Sequence, residues 1–312
     1  MPELPEVQTV VSQLQKEIPG LSIRDVWSDW PKILQVVSHD NHLKIKKATK
    51  KPAVKKLNAL FQAFKDDVSG KKIQKIERKA KNILIYLSDN HLLLIHQKMT
   101  GHFLIGRWDV AKDKVLAKTE GALQEKVNSF IHLIFYLSDG RMLALSDMRK
   151  FAKAVVGPQD KILTLPEIVK LGPDPLDKSF KVSKFKSLIS REKRKIKQVL
   201  MDQEIISGVG NIYSDEILWW ARVNPAMPAN IISDEKIRLM YNIMKKILRF
   251  AIKAGGDSMS DFRNIYGEAG KFQNHHQVYR REGEKCSRCL TAIKRLRIGG
   301  RSAHFCPKCQ KS

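Results

Sequence analysis

All four cysteines of this chain lie beyond residue 285, as Cys286, Cys289, Cys306 and Cys309. Their spacing is C-x2-C-x16-C-x2-C. Each C-x2-C offers two sulfurs from a tight knuckle, and the stretch between the pairs is long enough for a β-hairpin. The pattern fits a closed four-thiolate site for one structural Zn2+ ion. A redox pair would need only one C-x2-C, and a catalytic zinc usually keeps an open ligand position. With no cysteine elsewhere, the pattern argues against a secreted disulfide scaffold. His304, two residues before Cys306, reads as a surface or packing histidine rather than a ligand.

A chain of 312 residues has room for two domains of ordinary size, and 43% hydrophobic residues suffice for a packed core. Charge narrows the partners. There are 57 Lys and Arg against 32 Asp and Glu, a formal net charge of +25. Such an excess points to a polyanion, either nucleic acid or an anionic membrane. No apolar run approaches the roughly 18–20 residues needed to span a bilayer, and the start of the chain lacks a basic-then-apolar signal segment. The expectation is a cytoplasmic, nucleic-acid-facing protein with no membrane partner. Basic residues cluster: residues 44–56 hold seven lysines and no acid, and residues 181–197 hold eight basic residues and one acid. Singly such runs are usually solvated faces; two of them beside a basic zinc segment favour a phosphate-binding surface.

Val7, Val10, Val11, Leu14 and Ile18 follow helical spacing, which predicts a helix beginning right after Pro5. Two hairpins follow, residues 83–87 with 91–95 and residues 130–137 with 141–145; the turn of the second contains Asp139-Gly140. Residues 1–160 read as mostly β, with a second helix near 52–65. Gly172-Pro173-Asp174-Pro175 is a breaker cluster and reads as a linker. Beyond residue 180 the pattern turns helical, with helices around Val199-Leu200 and Ile217-Leu218 and a third over 233–253. A glycine-bearing loop over 263–272 precedes the zinc segment. The expected class is α+β and multidomain: an N-terminal β-sandwich with flanking helices (1–160), a helical domain (161–275) and a C-terminal β-hairpin zinc finger (276–312).

The opening Met1-Pro2-Glu3-Leu4-Pro5-Glu6 carries a chemical suggestion. Removal of Met1 would leave a proline with a secondary α-amine and a carboxylate one residue away. α-Amines titrate roughly two and a half units below lysine, so far more free base exists near neutrality. A free amine attacks an aldehyde-like carbon to form a Schiff base. Taken alone, these residues also read as an ordinary start before a helix.

Several segments together resemble the formamidopyrimidine-DNA glycosylase / endonuclease VIII family. They are Pro2-Glu3-Leu4-Pro5-Glu6-Val7, Arg78-Lys79-Ala80-Lys81, His96-Gln97-Lys98-Met99-Thr100-Gly101 and Asp147-Met148-Arg149-Lys150-Phe151, then Gly208-Val209-Gly210-Asn211-Ile212-Tyr213, Val278-Tyr279 and Gly299-Gly300-Arg301. They run from end to end in family order. The Leu-Pro form of the opening is nearer the formamidopyrimidine branch. The resemblance implies that the helical domain is of the helix-two-turn-helix kind. It implies a bifunctional glycosylase and lyase of base excision repair that acts on damaged double-stranded DNA as a monomer. Oxidised purines would leave through a Schiff base on Pro2, with β,δ-elimination cutting the strand. If the source is bacterial, the nucleoid is the expected location.

By the same resemblance Pro2 attacks C1′ and Glu3 acts as acid on the sugar ring oxygen. Lys81 and Arg301 hold the phosphates flanking the lesion. Glu6, His96, Asn211 and Tyr279 serve the DNA site, with Glu6 positioning the amine or the sugar. Met99, Arg149 and Phe151 fill the void left by the flipped base. The residue types suit these tasks. A base inside a duplex must be extruded before it can be reached, and an unbranched thioether, a planar guanidinium and an aromatic ring can refill the stack. A glycine-rich turn before a helix presents N–H groups to a phosphate. Alone, Asn211 reads equally as a helix cap, Lys81 as a solvated lysine, and Met99 and Phe151 as core.

Two departures stand out. Ala80 and Ala152 replace family glycines; where the glycine needs a positive φ, alanine costs about 1 kcal/mol. Residues 44–56 and 112–126 look like insertions or extensions. Three other readings remain open on sequence. One is an endonuclease VIII-like enzyme for oxidised pyrimidines, and another is a non-catalytic damage-binding relative. A zinc-ribbon RNA- or ribosome-associated protein would fit the charge and the cysteines, but not the N-terminus or the trio.

Overall fold

The computed structural model describes residues 1–38, 42–43, 54–111 and 114–311. The lysine-rich stretch 44–56 lies outside these residues except for its last three, as does Lys112 of the second extension. The described chain gathers into two compact units. The first holds residues 1–2, 6–169 and 257–270; the second holds 3–5, 170–256 and 271–312.

The first unit is a β-sandwich. Its strands are β1 (Ile23–Trp27), β2 (Leu34–Val37), β3 (His42–Leu43), β4 (Ile73–Lys79), β5 (Asn82–Leu87), β6 (His91–His96), β7 (His102–Gly106), β8 (Trp108–Ala111), β9 (Lys114–Ala117), β10 (Ile131–Leu137), β11 (Met142–Ser146) and β12 (Lys153–Pro158). One sheet has the order β1-β10-β11-β7 and the other β3-β2-β12-β6-β5-β4, while β8 and β9 form a separate hairpin. Alternation sets the inner faces: Ile83, Ile85, Leu93 and Ile95 from one sheet share a buried cluster with Leu133, Phe135, Leu143 and Leu145 from the other. The outer face of the smaller sheet is not left bare, because Trp108 of β8 packs with Leu104, Ile131, Ile134 and Ala144.

Helix α1 (Leu4–Glu17) starts one residue before Pro5, earlier than periodicity predicts. Pro5 falls in the first turn, where its missing N–H costs nothing. Val7, Val10, Val11, Leu14 and Ile18 enter the sandwich core together with Phe64 and Val68 of α2 (Val54–Val68). Two short helices, α3 (Gln159–Leu163) and α4 (Pro166–Val169), close the unit. Residues 257–270 belong here as well. Phe262 and Ile265 join the sandwich core, and Ile265 O accepts from the Ile105 N–H at 2.8 Å.

The second unit is built from α5 (Val182–Ile189), α6 (Ile196–Met201), α7 (Asn211–Trp220) and α8 (Asp234–Lys253), followed by the hairpin β13 (Lys294–Ile298) and β14 (Arg301–Phe305). Ser233 caps α8 by accepting from the Lys236 N–H, with Asp234 and Glu235 in the first turn and Lys253 in the last. Ile237, Met240, Met244, Leu248 and Ala251, spaced three and four apart, are buried; Ile243 is only partly covered. Residues 172–175 are packed rather than a free tether. The Gly172 N–H donates to Gln203 O at 2.8 Å, and a Cβ on Gly172 would lie 2.6 Å from Glu204 O.

Candidate active site and nucleic-acid interface

In the second unit the start of the chain is seated on the turn before α7. Leu4 N–H donates to Gly208 O at 3.0 Å, and the Ile212 N–H donates to Glu3 Oε1 at 2.9 Å. Two glycines make this approach possible. Gly208 has φ +91, and a Cβ there would lie 2.7 Å from Leu4 Cδ1; a Cβ on Gly210 would lie 2.5 Å from Glu3 Cδ. One of the helix N–H groups that the sequence offered to a phosphate is therefore occupied by the buried carboxylate of Glu3.

Asn211 opens α7 and hydrogen-bonds the Tyr279 side chain. Burial pushes the Tyr279 phenol up, and the nearby Glu3 charge adds to this. Two acids of α7 that sequence reasoning missed fix the surroundings. Glu216 accepts from the amides of Gln277, Val278 and Tyr279 at 2.9–3.1 Å. Burial pushes its carboxyl up, with those amides opposing. Asp215 accepts from His304 through both the backbone N–H (2.9 Å) and Nδ1 (3.0 Å), and pairs with the buried Lys197. His304 is thus a packing histidine. The available signal was two adjacent acids directly ahead of the apolar run Ile217–Trp220.

Arg301 is exposed at the first position of β14, next to the two-residue turn Gly299 (φ +55) and Gly300 (φ +75). The four cysteine sulfurs lie within 4.8 Å of one another. Separations of 3.4 Å for Cys289–Cys306 and 4.0 Å for Cys286–Cys309 suit a tetrahedral thiolate site, whose sulfurs stand about 3.8 Å apart. The four residues fit one structural metal.

In the first unit Pro2 is buried, and Met1 shares an open groove with Lys98, Met99, Lys150 and Phe151. Lys81 is buried as the second residue of a two-residue turn between β4 and β5. His96 ends β6. Burial holds its imidazole down at about 3, reinforced by the charges of Lys98, Lys81 and Lys153. Lys98 N–H donates to its Nδ1 at 3.0 Å, leaving a neutral ring among cations.

Met99 and Phe151 come from separate loops and line the same groove, and the Arg149 guanidinium lies 4.7 Å over the Phe151 ring. Phe151 is 52% exposed, so the core alternative does not describe it. Asp147, also missed on sequence, organises the loops. Its carboxylate accepts from the amides of Phe151 and Ala152, both at 2.7 Å, and from the Thr100 hydroxyl. Glu6, in the first turn of α1, accepts from the Asp257 N–H through Oε1 at 2.8 Å.

Backbone conformation marks some of the same positions: of the eight non-glycine residues at positive φ among those described, four adjoin the site, the others including the Asp89-Asn90 hairpin turn. Ala80 (φ 54), Lys98 (φ 56), Lys150 (φ 56) and Arg280 (φ 58) are left-handed, and they adjoin Lys81, Met99, Phe151 and Tyr279. Non-glycine residues rarely adopt that region, and such strain gathers at functional sites. Ala80 carries the positive φ that its replacement of glycine put in question; Ala152 does not.

Three sequence-family models match the chain. The formamidopyrimidine-DNA glycosylase N-terminal domain covers residues 40–154, and the formamidopyrimidine-DNA glycosylase H2TH domain covers 171–263. A zinc finger found in FPG and IleRS covers 283–311. The formamidopyrimidine-DNA glycosylase of Herpetosiphon aurantiacus is 34% identical over 99% of this chain and 100% of its own. That of Pelotomaculum thermopropionicum is 35% identical over 100% and 99%. Among solved structures, a complex of Lactococcus lactis Fpg with abasic-site DNA superposes with a TM-score of 0.80 at 31% identity, covering 99% of this chain and 100% of that one.

Proposed function

The chain belongs to the formamidopyrimidine-DNA glycosylase family, and we propose that it is a bifunctional glycosylase and AP lyase for oxidised purines in duplex DNA. The observation that carries the reading is the seating of Glu3 on the N-terminus of α7. It fixes a carboxylate one residue from the amine that loss of Met1 would free on Pro2.

In the proposed reaction the Pro2 nitrogen attacks C1′ of the extruded nucleotide, the glycosidic bond breaks, and the base leaves with a proton. Glu3 protonates the sugar ring oxygen as the ring opens to the iminium. Loss of a C2′ proton expels the 3′ phosphate, and a second elimination expels the 5′ phosphate. Lys81 and Arg301 bind phosphates flanking the lesion. His96, held neutral, offers a hydrogen bond without adding charge. Asn211 and Tyr279 complete the DNA contacts. Met99, Arg149 and Phe151 refill the stack. Glu6 positions the amine or the sugar.

The metal is zinc, held by Cys286, Cys289, Cys306 and Cys309; it stabilises the hairpin that carries Arg301 and takes no part in the chemistry. We propose the division 1–160, 161–275 and 276–312 as functional domains, with 161–169 and 257–270 folding with the sandwich, and a monomer working in the cytoplasm. Among the described residues no helix is long and apolar enough to cross a membrane.

Single-turnover excision from duplexes carrying one lesion each tests the substrate. Formamidopyrimidine and 8-oxoguanine should be removed faster than oxidised pyrimidines. The reverse order would assign the endonuclease VIII specificity, and binding without cutting would assign a damage-binding relative.

A further inference from the structure

Ile243, Lys246, Ile247 and Phe250 recur at i, i+3, i+4 and i+7 along α8, which puts them on one helix face. That face does not finish in the core. Together with Trp220, the last residue of α7, and with Phe272 and His275, it lines a groove within the second unit. Phe250 is 43% exposed and Trp220 45% exposed. The Phe250 ring stands 6.0 Å from Phe272 and 4.8 Å from His275, both edge-on. Two large exposed aromatics in one groove are costly in water and mark an interaction surface.

The rim is cationic. Lys246 lines the groove, and Arg249 and Lys253 follow it at i+3 and i+7 on α8, with no acid from residue 236 to residue 253; Lys245 is turned away, to the carbonyls of Asp177 and Phe180. The one carboxylate at the wall, Glu216, is buried and turned to the amides of Gln277, Val278 and Tyr279. It therefore does not answer the basic rim. Duplex DNA would satisfy the lysines but not the aromatic floor. We propose that this groove docks an acidic peptide bearing an aliphatic or aromatic anchor, which satisfies both. The surface lies outside the residues assigned to lesion chemistry, and the proposal stands whichever lesion proves preferred.

The test uses the full chain and a fluorescein-labelled peptide of four aspartates followed by leucine and phenylalanine, read by anisotropy at physiological salt. Saturable binding is expected, weakened about tenfold or more by Phe250→Ser and by Lys246→Glu. A peptide ending in two serines should bind equally weakly to wild type and variants. Nicking of abasic DNA should be unchanged in both variants; the melting temperature should be unchanged in Lys246→Glu and slightly lowered in Phe250→Ser, whose ring leaves Phe272 and His275. No saturation by about 1 mM peptide, or equal binding of the serine-ended control, would overturn the proposal, the second outcome meaning attraction to the +25 chain in general. A mass increase in the free protein that Phe250→Ser abolishes would also overturn it, by assigning the groove to a second copy of the chain.

Discussion

The hydroxyl of Thr100 donates to the carboxylate of Asp147, and this bond ties the loop of Met99 to the loop of Arg149 and Phe151. The same carboxylate holds the Phe151 and Ala152 amides, and Thr100 Oγ1 accepts from the Arg149 N–H at 3.1 Å. Residues that share one task in the proposed mechanism are thus positioned by a single buried acid. Asp147→Asn, which keeps the shape but turns one acceptor into a donor, should slow base excision while Phe151→Ala leaves little further to lose. Additive losses in the double variant would separate the two residues.

Truncation of the trio should spare substrates that need no extrusion. Unstacking a paired base costs a few kcal/mol, and losing ~1.4 kcal/mol of compensation slows a reaction about tenfold. Met99→Ala with Phe151→Ala should therefore lose at least that on a paired 8-oxoguanine, with far smaller loss at a preformed abasic site. Because Phe151 is half exposed, the melting temperature should barely move. Equal losses on both substrates with a lowered melting temperature would restore the core reading.

Ala80→Gly should stabilise the protein. Ala80 holds φ 54 at the first position of the turn before Lys81, where two-residue hairpins commonly use glycine. Relief of the strain is worth about 1 kcal/mol, read as a midpoint shift in urea at unchanged slope. A loss of stability would mean that Ala80 gains more from its buried methyl than the turn costs.

The His96 ring should stay neutral at pH 5. Its folded value, about 3, lies below that of an unfolded histidine. The unfolded chain then binds the extra proton as pH falls. This contribution is absent above the unfolded value, destabilises progressively between it and about 3, and is complete below that. His96→Gln should flatten stability over that window relative to wild type. Imidazole NMR shifts titrating near the ordinary histidine value would refute the assignment.

Cys306→Ser should release the metal and the β13–β14 hairpin with it. Duplex binding should fall because Arg301 sits in that hairpin, while the melting of the sandwich should change little. Elemental analysis of wild type should give one zinc per chain; active protein without zinc would refute the structural role.

The sequence showed some of this directly and hid the rest for physical reasons. Cysteine spacing, the Asp139-Gly140 turn and the apolar repeat of α8 are local patterns with a fixed period, and each lies where it was expected. Phe262 and Ile265 return to the sandwich through a loop with no period of its own, so nothing local marked residues 257–270 as part of the first unit. Asp147, Asp215 and Glu216 act by accepting backbone amides, and an acid's partner in space leaves no trace in its neighbours in sequence. Lys81 and Phe151 were found through the family resemblance, since alone they read as solvated lysine and core aromatic. The strain at Ala80 was raised as a condition on sequence, and its positive φ meets that condition.

The most direct test of the mechanism is borohydride trapping on abasic-site duplex DNA, followed by mass spectrometry of the crosslinked peptide. Protein verified to begin at Pro2 should trap efficiently, with the DNA remnant on the Pro2 nitrogen, and protein verified to retain Met1 should not trap. An adduct on a lysine, or undiminished trapping by the Met1-retaining chain, would contradict the assignment of Pro2 as the nucleophile.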